Sequence, residues 1–160
     1  MSTPSPYARP VIDVRPADDD DVADLRAVAA AAYERYVARI GRPPAPMEAD
    51  YAAAVRDGQT WVAVRAGRFV GFVVLVARPD HLLLDNVAVL PAEQGGGVGA
   101  RLLDLAEEQA RSRGLAEVRL YTNEAMTENL GYYLRRGYEE THRAEQDGFR
   151  RVFFRKSVAP

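Results

Sequence analysis

The chain has 160 residues, of which 48% are apolar and 28% are charged, and its formal net charge is −2. This composition predicts a single globular domain and excludes a wholly disordered chain, and the slight negative charge argues against a general nucleic-acid binder. The absence of cysteine excludes disulfides and thiolate chemistry. Because the two histidines lie far apart in sequence, we also expect no metal site.

The N-terminal segment predicts neither export nor membrane attachment. Residues 1–10 contain three prolines and no apolar run, which is typical of a flexible tail rather than a signal peptide. No later segment approaches the roughly 20 apolar residues that a membrane helix needs. We therefore expect a cytoplasmic protein without a membrane partner, with one domain over residues 11–160.

The first third of the chain predicts a strand and two helices. A short strand at 11–14 is followed by aspartates that favour a helix N-terminus and that form either a solvated face or an acidic rim for a cationic amine. From Val22 to Tyr36 apolar residues recur every three or four positions, which predicts an amphipathic helix that ends at Gly41. A second, shorter helix is predicted over 46–55.

The rest of the chain favours strands interrupted by two helices. In chain order, we predict strands at 60–64, 68–76 and 81–89, a helix at 98–113, a strand at 118–121, a helix at 127–136 and a closing strand pair at 138–142 and 150–156. The resulting order, β-α-α-β-β-β-α-β-α-β-β, predicts an α/β (α+β) fold in which helices cover both faces of one mixed sheet.

A glycine-rich loop precedes the helix at 98–113. Gly95, Gly96 and Gly97 are consecutive and Gly99 follows, although glycine costs chain entropy wherever it is not needed. A backbone that points several N–H groups into one concavity at a helix N-terminus binds phosphate. A bare turn needs one or two glycines rather than four, so this loop predicts a phosphate site.

Two kinds of phosphate ligand fit such a loop. The pattern Gly-x-Gly-x-x-Ala at 95–100 formally matches the dinucleotide fingerprint, with Glu124 placed for a ribose, and would make the protein a nucleotide-dependent oxidoreductase. In that fingerprint the strand runs almost directly into the first glycine, whereas residues 90–94 intervene here. The repeated βαβ scaffold is also missing, so the match is weak.

The second kind of ligand is indicated by two motifs. Val-x-Val-x-Pro at 87–91 with Gln-x-x-Gly-x-Gly at 94–99 resembles motif A of the GNAT family of N-acetyltransferases, and Tyr-x-x-x-Gly-Tyr at 133–138 resembles the end of its motif B. The order of elements over about 11–156 is similar to that fold. The resemblance implies a mostly antiparallel sheet of six to seven strands and transfer of an acetyl group from acetyl-CoA to a primary amine, by direct attack in a ternary complex. A non-catalytic acyl-CoA-binding regulatory module is the alternative.

The resemblance also assigns residues to the coenzyme. The glycine loop would hold the diphosphate, the preceding strand edge would pair with the pantetheine arm, and Tyr133 would protonate or hydrogen-bond the departing thiolate. Met126 stands where the family often has an asparagine, and Asn129 is expected to supply the missing contact. The expected cofactor-binding residues are Val87, Ala88, Val89, Gln94, Gly95, Gly96, Gly97, Val98, Gly99, Ala100, Asn129 and Tyr133.

The sequence says less about the general base and about the residues that bind the acceptor amine. An amine of pKa about 10.4 is almost wholly protonated at neutral pH, so a base or a water chain is expected. Asp85 is a candidate base and Asn86 a candidate for orienting a water, and His81, Glu124 and Tyr121 remain open as bases. The resemblance implies acceptor selection by the first two helices, a small-molecule or peptide amine as partner, and an optional homodimer. The expected substrate residues are Tyr33, Tyr36, Met47 and Asp50.

Overall fold

The computed structural model describes residues 11–159, so the predicted tail at 1–10 lies outside the described residues. One sheet has the strand order β1-β2-β3-β4-β5-β7-β6. The strands are β1 Ile12–Pro16, β2 Thr60–Arg65, β3 Arg68–Ala77, β4 Leu82–Val89, β5 Glu117–Asn123, β6 Glu139–Gln146 and β7 Phe149–Ser157. The helices are α1 Val22–Tyr33, α2 Val37–Ile40, α3 Tyr51–Arg56, α4 Val98–Ser112 and α5 Thr127–Arg135.

The strand pairing matches the predicted fold class. The pair β4 and β5 is parallel, and the other neighbouring strands of residues 11–159 pair antiparallel. The prediction of a mixed, mostly antiparallel sheet of six to seven strands is therefore confirmed. Within these same residues, no helix is both long and apolar enough to cross a bilayer.

The helical segment between β1 and β2 is more broken than its periodicity predicts. The first helix ends at Tyr33 and passes through a 3₁₀ turn before α2, which stops at Gly41 with a φ of 84°. The second helix begins at Tyr51 rather than near residue 46, because Asp50 caps it by accepting the Ala53 N–H at 3.0 Å. The break leaves Tyr33 at the end of α1, where its side chain reaches the sheet.

The aspartates before α1 serve the fold. The Asp18 side chain accepts the Asp20 N–H at 2.9 Å, and Asp21 accepts the Asp18 N–H at 2.8 Å, which together form a capping box. Asp21 also pairs with Arg15 at 2.7 Å. The first two contacts cap the 3₁₀ turn at Asp19–Asp21 that leads into α1, and the ion pair ties this turn to β1, so Asp18 and Asp21 serve the fold.

The sheet separates two apolar layers. On one face, Leu102 and Ala106 of α4 are wholly buried with Val73 of β3. On the other face, Leu25 of α1 is buried with Phe72 of β3. Full burial of each such Leu or Phe side chain contributes about 1.5–3 kcal/mol, so these layers hold the helices in place on either side of β4.

Strand β4 carries a bulge and then leaves its parallel neighbour. Val74 pairs with Asn86 while Leu75 pairs with Leu84, so Asp85 has no opposing residue on β3. The pairing between β4 and β5 is limited to Leu82–Leu84. Beyond the bulge the two strands separate, and the opening lies in the middle of the sheet.

Candidate active site

A cavity of about 500 Å³ lies beside the part of β4 that has separated from β5. We call it the large cavity. The β4 edge, the glycine loop, the end of α1 and one face of α5 form its walls. Ten of the expected cofactor-binding residues line it: Val87, Ala88, Val89, Gln94, Gly95, Gly97, Gly99, Ala100, Asn129 and Tyr133.

The edge of β4 presents backbone to this cavity. The Leu90 N–H donates to Val70 of β3 at 2.9 Å, and because backbone groups alternate along a strand, those of Val87 and Val89 point away from β3. Consistently, the Val87 carbonyl accepts the Tyr33 hydroxyl at 2.7 Å and the Val89 carbonyl accepts the Gln94 amide at 3.4 Å. An extended chain with amide groups can pair with such an edge.

The glycine loop forms a nest of backbone amides at the start of α4. Gly95 and Gly97 adopt left-handed φ values of 79° and 89°, which L side chains rarely adopt. Helix α4 begins at Val98, so the N–H groups of its first turn have no partner inside the helix. Within residues 11–159, no acceptor meets the amides of Gly95, Gly97, Val98, Gly99 and Ala100. This nest has the form of an anion site.

Two residues that the sequence analysis did not single out hold this loop in place. The Arg65 guanidinium on β2 donates to the Gly96 carbonyl at 2.7 Å and pairs with Glu93 at 2.8 Å. In a trans peptide the carbonyl and the following N–H point in opposite directions. Arg65 therefore turns the Gly97 N–H away from β2. No local motif marks this contact, since Arg65 and Gly96 lie 31 positions apart.

A second, smaller cavity of about 60 Å³ adjoins the first. We call it the small cavity. The two cavities share four of their lining residues, namely Tyr33, Val87, Asn129 and Tyr133. Asp85 and Tyr121 line the small cavity, where the Tyr121 hydroxyl donates to Asp85 at 3.0 Å. Burial, followed by the nearby Asp85 charge, raises the pKa of Tyr121 to about 12, so this phenol stays neutral and donates to the carboxylate.

Tyr133 stands where the two cavities meet. Its side chain is 6% exposed, and its ring packs against those of Tyr132, Tyr138 and Phe154 at centroid distances of 5.6, 5.8 and 5.7 Å. Burial, with smaller contributions from Tyr132 and Tyr36, raises the pKa of Tyr133 above the ordinary phenol value. The group at the junction is therefore a neutral hydroxyl on a fixed ring.

Comparison with known proteins identifies the family. Residues 24–138 match the model of the acetyltransferase (GNAT) family. The chain belongs to this family. This membership confirms the predicted family and, with the mostly antiparallel sheet, the predicted fold class, and it supports the predicted transfer of an acetyl group from acetyl-CoA to an amine.

Individual GNAT proteins are similar to parts or all of the chain. An aminoalkylphosphonate N-acetyltransferase of Salmonella typhimurium is 34% identical over 88 residues, 51% of this chain and 56% of that protein. A mycothiol acetyltransferase of Streptosporangium roseum is 44% identical over 52 residues, 32% of this chain and 15% of that protein. The chain thus spans little more than half of the first relative and a small part of the second. The PaiA N-acetyltransferase of Thermoplasma acidophilum, solved in complex with coenzyme A, has a TM-score of 0.78 at 19% identity, over 92% of this chain and 99% of that one.

Two expected cofactor residues of this GNAT domain do not line the large cavity. The Gly96 amide donates to the Glu93 carbonyl at 3.2 Å, and its own carbonyl is held by Arg65, so its peptide groups face the protein. The Val98 side chain is fully buried in the core, which leaves its backbone amide as the part that faces the nest. The Gly96 amide is therefore already engaged by the Glu93 carbonyl, and the assignment of Gly96 to the diphosphate stays a prediction.

Asn86 forms hydrogen bonds with two tyrosines. Its carbonyl oxygen accepts the Tyr33 hydroxyl at 2.9 Å, and its amide donates to the Tyr51 hydroxyl at 2.7 Å. The Tyr51 hydroxyl in turn donates to the Pro46 carbonyl at 2.5 Å. Asn86 therefore holds Tyr33 at the junction and lines neither cavity, and its role in orienting a water stays a prediction.

The expected substrate residues separate into two groups. Tyr33 lines both cavities, and Tyr36 lines the large one. Asp50 caps α3 and Met47 lies in a 3₁₀ turn, and neither lines the large or the small cavity. The resemblance placed both residues near the acceptor, because it implies acceptor selection by the first two helices, and this role of Met47 and Asp50 stays a prediction.

Two of the candidate bases, His81 and Glu124, lie outside both the large and the small cavity. The His81 ring lies 2.6 Å from the Asp80 carboxylate, just before β4, and lines neither cavity. Glu124 lines two other surface cavities and pairs with Arg143 at 3.4 Å. Asp85 is left as the carboxylate that lines the small cavity.

Proposed function

We propose that this chain transfers the acetyl group of acetyl-CoA to the primary amine of a small molecule or peptide by direct attack in a ternary complex. One observation supports it above the others. The large cavity, with its strand edge and amide nest, meets the small cavity at one junction formed by Tyr33, Val87, Asn129 and Tyr133. A thioester from one side and an amine from the other can meet there.

The two cavities suit the two substrates. The amide nest and the helix N-terminus favour the diphosphate, and the open β4 edge favours the extended pantetheine arm. The relative that acetylates an aminoalkylphosphonate acts on a small amine, which agrees with a small acceptor cavity. A cytoplasmic location belongs to this proposal, and a homodimer stays a prediction.

Asp85 acts as the base in this proposal. One carboxylate oxygen accepts the Tyr121 hydroxyl, which leaves the other oxygen for the ammonium group of the acceptor. Removing that proton, directly or through a water, exposes the nitrogen lone pair that attacks the thioester carbon. The bulge places Asp85 outside the regular β4 pairing and beside the junction.

Tyr133 acts on the leaving group. As the N–C bond forms and the C–S bond breaks, negative charge moves to the sulfur, and the neutral phenol donates a hydrogen bond to it. Because burial raises the pKa of Tyr133, complete proton transfer is less favourable than from a free phenol. Tyr133 therefore stabilises the thiolate as a donor. The attacking nitrogen loses its second proton to water as the amide forms, and the released thiolate takes a proton from water.

The proposal is tested by ligand binding and by transfer. Acetyl-CoA at millimolar concentration raises the melting temperature, whereas NADH does not, and a thiol reagent detects free CoA when amines are added. No shift with acetyl-CoA contradicts the proposal. A shift without CoA release across a broad amine panel contradicts it too, in favour of a regulatory acyl-CoA-binding module.

The role of Asp85 gives a pH-dependent prediction. Asp85→Asn keeps an acceptor for the Tyr121 hydroxyl but removes the base, so kcat/KM at pH 7 falls by about 10²-fold. As pH rises toward an amine pKa of about 10.4, more acceptor is already neutral, so the deficit shrinks. The measurement is kcat/KM from pH 6.5 to about 9.5 for both proteins.

Asp80→Asn serves as the matched control. Asp80 precedes β4, its side chain is 70% exposed, and it lines neither cavity. Its variant keeps the wild-type rate at every pH. A wild-type rate in Asp85→Asn, or a deficit that is constant with pH, assigns proton removal to another group.

A further inference from the structure

Arg151 brings a buried cation to the small cavity. Its side chain lies on β7, is 8% exposed and lines this cavity together with Asp85. The guanidinium lies over the Tyr121 ring at 4.3 Å and beside the Phe149 ring at 5.5 Å, so its plane is fixed by aromatic contacts. The acetyl-transfer steps proposed above do not use this cation.

The protein neutralises Arg151 only weakly. One guanidinium nitrogen donates to the neutral Gln146 side chain at 2.6 Å and lies 3.5 Å from Asp147, whose side chain is 78% exposed. Within residues 11–159, no acceptor meets the other two nitrogens of Arg151. A guanidinium has five N–H donors, so donors remain for a ligand.

The surroundings add positive charge. A neighbouring cavity shares Asn123 and Phe149 with the small cavity. In it, the Arg42 guanidinium lies over the Phe149 ring at 4.1 Å, and Arg150 also lines the wall. Arg42 and Arg150 make no ion pair within the described part of the chain. Glu124 also lines this neighbouring cavity but pairs with Arg143. Arg42 and Arg150 therefore leave its wall with an excess of positive charge, which favours an anion there.

We propose that Arg151 binds an anionic group of the acceptor, so that the substrate is a small amine that also carries a carboxylate, a phosphate or a phosphonate. This inference rests on the proposed acetyl transfer and specifies its acceptor. Tyr121 joins the two ends of the site, because its hydroxyl contacts Asp85 and its ring face contacts Arg151. The amine lies at Asp85 and the anion at Arg151, one tyrosine ring apart.

Recognition by two opposite charges selects against simple amines. An acceptor without an anion leaves the Arg151 charge in the cavity without a counter-ion, and a diamine brings a second cation close to it. A planar guanidinium matches a carboxylate or a phosphonate through two parallel hydrogen bonds. Arg151 therefore determines specificity for the acceptor and plays no part in binding acetyl-CoA.

The experiment compares amines matched in chain length. Initial rates of CoA release are measured with 3-aminopropylphosphonate, 4-aminobutyrate, butylamine and 1,4-diaminobutane. The two anionic amines have kcat/KM values about tenfold or more above the other two, because charge-assisted hydrogen bonds to Arg151 hold them. The higher value of the two identifies the preferred anion.

Two variants assign this preference to Arg151. Arg151→Gln and Arg151→Met remove the charge, and the methionine retains apolar packing between the two rings. In either variant KM for the anionic amines rises about tenfold, so their kcat/KM advantage over butylamine is lost, while the affinity for acetyl-CoA stays at the wild-type value. Arg155→Gln is the control, because Arg155 lies on the same strand but pairs with Glu139 outside the cavity.

The outcomes separate this inference from the proposed function. Equal rates with anionic and simple amines overturn it and leave acetyl transfer intact, as does an equal loss for all amines in both variants. The rates of the wild-type protein with the four amines show by themselves whether anionic amines are preferred over simple ones. Absence of CoA release with every amine overturns the acceptor class and the proposed transfer together.

Discussion

Gly97→Glu abolishes acetyl-CoA binding while the protein remains folded. Gly97 precedes α4 with a φ of 89° and contributes an amide to the nest, so a glutamate puts a side chain and a negative charge where the diphosphate binds. The variant also carries the strain of a left-handed non-glycine residue. We expect affinity to fall about 100-fold or more, which is about 2.7 kcal/mol, in isothermal titration calorimetry.

Gly114→Glu separates strain from ligand repulsion. Gly114 follows the same helix at its other end, has a left-handed φ of 69°, and a side chain there meets no atom within 4 Å. Both variants lose about 1–2 kcal/mol of unfolding free energy in urea, because both force a side chain into the left-handed region. Only Gly97→Glu loses binding. Wild-type affinity in Gly97→Glu means that the nest does not hold the diphosphate.

The features that the sequence predicted best are local ones. The glycine loop and the tyrosine motif are runs of neighbouring residues whose geometry depends on the backbone around them, and the structure places both on the wall of one cavity. The strands and α4 were also predictable from the spacing of apolar residues. Buried residues alternate along β5, and apolar residues recur on one face of α4.

The contacts between distant segments were not predictable from one sequence. Arg65 reaches a loop 31 positions later, and Arg151 reaches the small cavity from the last strand. Both look like surface arginines in sequence, because burial of a guanidinium depends on what folds over it. The sequence also did not determine on which side of the sheet Asp85 lies, because a single bulge residue reverses the alternation of side chains along the rest of a strand.

The break after α1 shows how tertiary contacts override periodicity. Apolar residues continue at helical spacing beyond Tyr33, yet the helix gives way to a 3₁₀ turn there. The Tyr33 hydroxyl shares its single proton between the Asn86 side-chain oxygen and the Val87 carbonyl, both on β4. Local propensity is worth a few tenths of a kcal/mol per residue, and a buried network can exceed it.

Tyr133→Phe lowers kcat and leaves acetyl-CoA affinity unchanged. The substitution removes one hydroxyl at the junction, while the ring keeps its packing against Tyr132, Tyr138 and Phe154. Without a donor, the departing thiolate develops its charge unassisted, so kcat falls about 10²-fold. Stopped-flow or steady-state release of CoA measures kcat, and calorimetry measures the affinity. An unchanged kcat removes Tyr133 from the leaving-group step.

The pH profile and a neighbouring tyrosine refine this prediction. A phenol with a raised pKa stays protonated at every pH below its ordinary value of about 10, so the wild-type kcat does not decline between pH 7 and about 9. Tyr138→Phe is the control, because the Tyr138 hydroxyl is buried without a partner in the part of the chain that the structure describes. Its removal relieves an unsatisfied donor, so stability rises by about 1 kcal/mol or stays level, and kcat stays at the wild-type value. A loss of kcat in Tyr138→Phe equal to that in Tyr133→Phe means that the aromatic cluster, rather than one hydroxyl, controls the step.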